Sequence, residues 1–377
     1  MFNPFKFLQK AKLITPLPWE GLGVGSPLPW EGSGVGSLGS LGSLLCLILL
    51  TSCVDEKEYA NSPRGNFEAL WRIIDEHYCF FDYKQEAYGL DWNEVQARYS
   101  RQVNNNMTEA QLFEVLANML GELRDGHVNL YAGFDVGRNW KWHENYPSNI
   151  SDTLLNKYLG TDYRIASGMR YRILDDNIGY VRCASFETGI GAGNLDDILI
   201  YLAPCRALII DIRNNGGGLV TSAEMLASRF TNESVLVGYM QHKTGTGHSA
   251  FSSMNEQWIN PGKGVRWQKK VAVLTNRQVY SAANEFVKYM KCFPNVITVG
   301  DQTGGGAGLP FTSEIPNGWA VRFSACPMYD RNQQSTEFGI APDYPSAITQ
   351  EDFLRGRDTI IEEARKLLTD AESVHFQ

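Results

Sequence analysis

The chain has 377 residues, of which 43% are apolar and 12% aromatic, enough to fill a sizeable core. Its formal charge is −8 at neutral pH, which argues against nucleic acid as a partner and leaves no basic patch for a membrane surface. The length suits one large domain plus a small one.

Residues 1–52 read as a leader. Lys6, Lys10 and Lys12 make a basic start, and Leu44–Leu50 is an apolar run far shorter than the roughly 20 residues a transmembrane helix needs. Leu50-Thr51-Ser52-Cys53 resembles a bacterial lipobox, which predicts lipid on Cys53, a membrane anchor and a cell-envelope location, on the periplasmic face or the cell surface. The plain alternative is a short hydrophobic segment with a coincidental cysteine. Pro16–Ser26 recurs almost unchanged as Pro27–Ser37, a Gly/Pro-rich tandem repeat that cannot build a core. The leader has a net charge of +1, so the remainder is near −9. With Cys46 in the leader and Cys53 lipidated, Cys79, Cys183, Cys205, Cys292 and Cys326 remain. An odd count leaves at least one unpaired, and no Cys-x-x-Cys occurs. They read mainly as buried small hydrophobes, with one disulfide left open.

Residues 53–64 read as a lipidated polar tether, and 65–125 as a small three-helix domain. Phe67, Leu70, Trp71, Ile74 and Tyr78 give helical periodicity behind an Asn66 cap, a second helix spans about 93–103, and a third starts at the capping box Thr108-x-x-Gln111 and runs to about Leu123. His127 falls at the junction with the next domain, 126–350, and junctions favour ligand sites. Residues 131–165 look loop-rich. From Ile178 the pattern alternates: strand 178–183, helix 194–203, strand 207–212, helix 221–230, strands 235–240 and 271–275, helix 281–291, strands 296–300 and 319–324. That alternation predicts an α/β core. Asp352 is expected to cap a last helix over 353–368, within a C-terminal segment 351–377.

Two strand–loop–helix units stand out. Val271–Thr275 reads as a buried strand, followed by a polar turn and a helix opening at Ser281. A hydroxyl at a helix N-terminus sits where free N–H groups and the dipole favour negative charge, so an oxyanion beside it would be stabilised. The ordinary reading is that Ser281 is only an N-cap. Upstream, Ala207–Ile212 leads into Arg213-Asn214-Asn215-Gly216-Gly217-Gly218, whose glycines let the backbone turn and expose its amides. A ligand-free turn is the alternative; a phosphate loop is weak, since no Gly-Lys-Ser/Thr follows.

Together these stretches resemble the tricorn-core and C-terminal processing peptidase family of serine proteases. Leu123-Arg124-Asp125-Gly126-His127-Val128, Asp211–Gly218, Ser281-Ala282-Ala283-Asn284-Glu285-Phe286, Gly300-Asp301-Gln302-Thr303-Gly304 and Glu337–Asp343 carry the resemblance, in the family's order, over about 65–350. The resemblance implies a crotonase-like α/β core behind a small helical domain, and hydrolysis of peptide bonds in polypeptides with Ser281 as nucleophile. In the processing-peptidase branch the base is a lysine, but the matching stretch here is Gly304-Gly305-Gly306-Ala307-Gly308, without one. Lys288 and Lys291 lie roughly 10–15 Å along the helix from Ser281, out of hydrogen-bond reach. The tricorn-like branch uses a histidine and a glutamate, matched by His127 and Glu337. Imidazole suits the task because its pKa is near neutrality, and a carboxylate can orient it. That branch often places a small hydroxyl residue beside the histidine as a relay; this chain has Gly126, so water or direct contact remain as links to Glu337. For the oxyanion hole the resemblance points to the amides of Ala282 and Gly217, with Gly216 next. About 35 residues between the two parts are too few for the PDZ domain that many processing peptidases carry.

Other readings stay open. His127 could simply follow a helix end, and Glu337 could be a solvated loop carboxylate. Glu285 fits a salt bridge better than the site. His143, His242 and His248 look solvent-facing, and His77 looks like packing. No His-x-x-x-His pair occurs, so neither a catalytic metal nor a cofactor is expected. The main alternative to the lipid-anchored serine endopeptidase is a non-catalytic member that binds a peptide or apolar ligand in the cleft. Crotonase-type acyl-CoA chemistry shares the fold, but an exported chain would not meet CoA substrates.

Overall fold

The computed structural model describes residues 58–138 and 140–370. The leader, Cys53 and the first part of the tether lie outside the described residues, as do residues 371–377.

Among the described residues four helices, not three, precede the first strand: α1 (Pro63–His77), α2 (Phe81–Tyr88), α3 (Trp92–Ser100) and α4 (Glu109–Gly121). The additional one, α2, is short, has no side-chain cap and shows little amphipathic contrast, so periodicity alone passes over it. The cap of α1 is Ser62 rather than Asn66, while the Thr108–Gln111 capping box forms with both of its bonds. β1 (Asn129–Tyr131) and β2 (Val136–Gly137) follow, then α5 (Asp152–Leu159), β3 (Arg164–Ala166) and β4 (Met169–Ile173), so 131–165 is less loop-like than its composition suggests.

The alternating region holds β5 (Ile178–Arg182), α6 (Ala192–Leu202), β6 (Ala207–Asp211), α7 (Val220–Ala227), β7 (Val235–Met240), β8 (Asn255–Ile259), β9 (Val271–Thr275), α8 (Ala282–Met290), β10 (Val296–Gly300), β11 (Gly308–Glu314), β12 (Ala320–Tyr329) and β13 (Tyr344–Pro345). The expected last helix is two: α9 (Gln350–Leu354), capped by Thr349, and α10 (Thr359–Thr369), capped by Asp358 instead of Asp352. Gly356, in the left-handed region, separates them.

One sheet runs β2-β1-β12-β7-β8 with β11 also on β12, and its pairs are antiparallel. The other runs β13-β10-β9-β6-β5-β4-β3, parallel from β13 to β5. Every residue of β5, β6, β9 and β10 is buried, as expected where helices cover both faces. Residues of α6, α7 and α8 pack on one face, and residues of α5 and α10 on the other. α1, α3 and α4 pack instead on β1 and β12, through Val321, Phe323 and Ala325. Since strand side chains alternate, Arg322 and Ser324 point from β12 to the opposite side. The five remaining cysteines are free thiols, with Cys292 half-buried and the others buried.

Candidate active site

β6 and β9 are parallel neighbours, so the loops after Asp211 and Thr275 leave the sheet at the same edge. The second loop delivers Ser281 to the N-terminus of α8 with φ 57° and ψ −127°, a conformation that side-chain-bearing residues seldom adopt and that costs about 1–3 kcal/mol. Its hydroxyl caps nothing in the helix. The Ser281 N–H donates to Gly305 O at 2.9 Å, and Oγ lies 2.9 Å from His127 Nε2. The simple N-cap role therefore does not describe this serine. His127 comes from the turn between α4 and β1 and is almost wholly buried.

Glu337 is buried but does not reach His127. Its Oε1 accepts from Lys84 Nζ at 2.9 Å, and its Oε2 from the Ala307 N–H at 3.0 Å. The acid nearest the imidazole is Asp125, whose Oδ1 is 4.0 Å from Nδ1. Asp125 Oδ1 accepts from the His127 N–H at 2.8 Å and from Tyr280 OH at 3.3 Å. Its Oδ2 accepts from Ser324 Oγ at 2.8 Å and Tyr78 OH at 3.1 Å. Ser324 Oγ is also 3.5 Å from His127 Nδ1.

Burial lowers the His127 pKa to about 4, with Arg322 and Lys84 adding to the fall and Asp125 opposing it. Burial pushes the Asp125 carboxyl up, but Lys84, His127 and the hydrogen bonds outweigh it and hold the group below its ordinary range. Glu337 goes the other way: burial raises it to about 7 despite Lys84. Of the two acids, Asp125 is the one built to stay ionised.

The glycine loop lies against the serine. Gly217 has φ 100°, and a Cβ there would stand 2.8 Å from Ser281 Cβ and 3.0 Å from Ala282 N. Ala282 is the first residue of α8, where a backbone N–H has no intrahelical acceptor. The Gly217 N–H already donates to Asn215 Oδ1 at 2.9 Å, and Gly216 is exposed. Beneath the loop, buried Arg213 bonds Asp211 at 2.7 Å and Asp358 at 2.9 Å, tying the start of α10 to the glycine turn.

Several side chains sit elsewhere than the sequence suggests. Lys288 pairs with buried Glu285 at 2.5 Å, so Glu285 makes the expected salt bridge, and Lys291 pairs with Asp343. His248 is not simply solvent-facing: it bonds Asp75 at 2.8 Å and stacks on Phe81. His77 is exposed. Trp142 stacks on Tyr280 with ring centroids 3.8 Å apart, and a Cβ on Gly126 would stand 2.6 Å from the indole. Asp125, Ser324, Lys84 and Trp142 are the neighbours that sequence reasoning passed over. Only the Asp-x-His spacing of Asp125 offered a signal.

Residues 177–346 match the model of peptidase family S41, and residues 59–121 match that of the tricorn protease C1 domain. A crystal structure of a candidate peptidase from Parabacteroides merdae is similar, with 51% identity and a TM-score of 0.78 over 82% of this chain and 98% of that one. Mature CPAF in complex with lactacystin shares the fold, with a TM-score of 0.63 at 13% identity over 81% of this chain and 97% of that one. The Probable CtpA-like serine protease of Staphylococcus epidermidis is 26% identical over 150 residues, 39% of this chain. The chain spans 29% of the length of that curated relative.

Proposed function

Because the chain belongs to peptidase family S41, and so to the serine-type peptidases, we propose that it hydrolyses peptide bonds of polypeptides with Ser281 as nucleophile and His127 as general base. Ser281 Oγ attacks the scissile carbonyl, and His127 Nε2 takes its proton and returns it to the leaving amine. Water then repeats the sequence on the acyl-enzyme. The Ala282 amide is poised for the oxyanion. Gly217 joins it by exchanging Asn215 Oδ1 for the charged oxygen, a stronger acceptor. Gly216 is the reserve donor. The observation that carries this reading is the 2.9 Å contact between His127 and a serine held at positive φ.

The core of 126–350 fits a crotonase-like arrangement, with 65–125 as its helical partner and the cleft between them as the substrate site. Glu337 is held by Lys84 and the Ala307 N–H, so any support it gives His127 passes through Lys84. The test is a fluorophosphonate probe: Ser281 labelled in the wild type and unlabelled in His127→Ala supports the enzyme. A folded protein that never labels, yet retains peptides, is the non-catalytic binder. That alternative draws on one observation, the low basicity of buried His127.

The lipobox-like Leu50-Thr51-Ser52-Cys53 supports anchoring of the protein in the cell envelope through lipid on Cys53. Incorporation of an alkyne fatty acid that is unaffected by Cys53→Ala would sink that part.

A further inference from the structure

The imidazole of His127 needs a partner at Nδ1. Nε2 faces Ser281, and the proton must sit on Nδ1 for Nε2 to act as a base. Ser324 Oγ lies 3.5 Å from Nδ1, closer than Asp125 Oδ1 at 4.0 Å, and that hydroxyl donates to Asp125 Oδ2 at 2.8 Å. Donating there leaves the oxygen's lone pairs free to accept from Nδ1–H. The register is built into the sheet. Asn129 pairs with Arg322 in the antiparallel β1–β12 ladder, so stepping two residues back on one strand and two forward on the other brings 127 beside 324. Ser324 and Asp125 are both essentially buried.

We propose that Ser324 and Asp125 form the relay that orients His127, in place of Glu337: Nδ1–H donates to Ser324 Oγ, whose O–H donates to Asp125 Oδ2. The inference rests on the reading of Ser281 and His127 as nucleophile and base. Ser324 and Asp125 are positioning residues, acting on the substrate only through the imidazole. Asp125 is suited to the task because four donors fix it, from His127 N–H, Tyr280 OH, Ser324 Oγ and Tyr78 OH, matching the four lone-pair sites of an ionised carboxylate. Glu337 is not, since its oxygens face Lys84 Nζ and the Ala307 N–H rather than His127 Nδ1 or Ser324 Oγ. The 3.5 Å step tightens when the imidazole becomes charged and Nδ1–H becomes the stronger donor. Gly126 also makes sense here, because the hydroxyl comes from β12 and none is needed beside the histidine.

Charged and titratable groups facing His127 are Asp125 on its own turn, Lys84 from α2, Arg322 from β12 and Tyr280 before α8, with Glu337 beyond Lys84. The experiment compares full-length Asp125→Asn, Ser324→Ala, their double variant and Glu337→Gln. It reads the rate of fluorophosphonate labelling at Ser281 and the His127 pKa by NMR. Loss of an orienting carboxylate can cost on the order of 10⁴-fold in rate, and loss of one relay hydrogen bond about tenfold. Asp125→Asn is expected to slow labelling at least about 100-fold and to lower the His127 pKa. Ser324→Ala should slow it about tenfold, and the double variant should be no slower than Asp125→Asn within about threefold, as members of one unit behave. Multiplying losses, or Glu337→Gln slowing labelling more than Asp125→Asn, overturns the relay. Should Asp125→Asn not fold, Ser324→Thr decides, since it keeps the hydroxyl: a rate near wild type beside a slow Ser324→Ala supports the relay, and equal rates overturn it. If the wild type never labels, the peptidase reading fails by itself. The His127 pKa still judges the relay, upheld if Asp125→Asn and Ser324→Ala move it more than Glu337→Gln and refuted otherwise.

Discussion

His127 Nε2 stands 2.9 Å from Ser281 Oγ although 154 positions separate the two residues in the chain. The histidine enters from the turn just before β1 in the antiparallel sheet, and the serine at the end of a loop from the parallel one. The pair therefore joins two sheets with separate cores, and its geometry depends on how they pack.

Ser281 carries its hydroxyl at a backbone conformation that only glycine adopts without strain. Ser281→Gly should be inactive yet more stable than wild type by about 1 kcal/mol, because the strain is relieved. Ser281→Ala should be equally inactive without that gain, since Ala keeps the Cβ. Thermal unfolding beside a peptide-cleavage assay checks both. A Ser281→Gly protein that melts below wild type would show that the φ of 57° stores no strain.

The pH profile follows from burial of His127. A base with a folded pKa of about 4 stays neutral, and able to accept a proton, well below the ordinary histidine range. The acid limb of kcat/KM should fall near pH 4–5 instead of near 6.5. Stability linkage has a definite sign: the unfolded imidazole takes up a proton that the folded one refuses, so this group's contribution is lost as pH drops from about 6.5 towards 4. A titration of kcat/KM on a short peptide reads the limb, and a limb at 6.5 or above would count against a buried neutral base.

The parts of the site set by local pattern were legible in the sequence. The buried run Val271–Thr275 and the helix behind Ser281 lie where the run of apolar residues and the polar turn put them. The Thr108 capping box needs only its own four residues. The proposed relay to His127 was only partly legible: Asp125 lies two residues from the histidine, but Ser324 comes near it only through the register of β12 against β1. Lys84 on α2 meets Glu337 across 253 positions, and no local spacing signals such a pair. The family likeness pointed to Glu337, but the tertiary packing gave that carboxylate to Lys84.

Gly126 is held by sterics. An added Cβ would stand 2.6 Å from the Trp142 ring and 3.0 Å from that of Tyr280, whose hydroxyl accepts the Gly126 N–H at 3.0 Å. Gly126→Ser therefore should not improve the enzyme by restoring a hydroxyl beside the histidine. It should destabilise by about 1–3 kcal/mol, as overpacking usually does. Trp142→Ala in the same chain should relieve part of that loss. Urea unfolding of the two single variants and the double variant measures it, and a Gly126→Ser protein as stable as wild type and faster would refute the steric account.

Lys84 and Glu337 form a buried pair, their side chains almost wholly out of solvent and 2.9 Å apart. Breaking such a pair leaves one charge without compensation, at a cost of about 3–5 kcal/mol, whereas replacing both members by apolar groups of similar volume is often neutral. Lys84→Met should thus destabilise strongly, and Lys84→Met with Glu337→Leu should recover most of the loss. The penalty depends on pH. Burial already raises Glu337 from its usual 4.5 to about 7, and Lys84 is the main group opposing that rise, so its removal drives the carboxyl higher still. A raised folded pKa favours the protonated native state. Its stabilising effect is fully present below the unfolded pKa and is lost as pH climbs through the folded one. The Lys84→Met deficit should therefore be small near pH 4.5 and largest above pH 7, where an unpaired carboxylate must either stay buried or force the site open. Denaturant unfolding at several pH values from about 4.5 to about 9 tests it, the deficit growing above pH 7. A deficit independent of pH would mean that Lys84 stabilises by packing on Phe338, 4.7 Å from its ammonium, rather than through the acid.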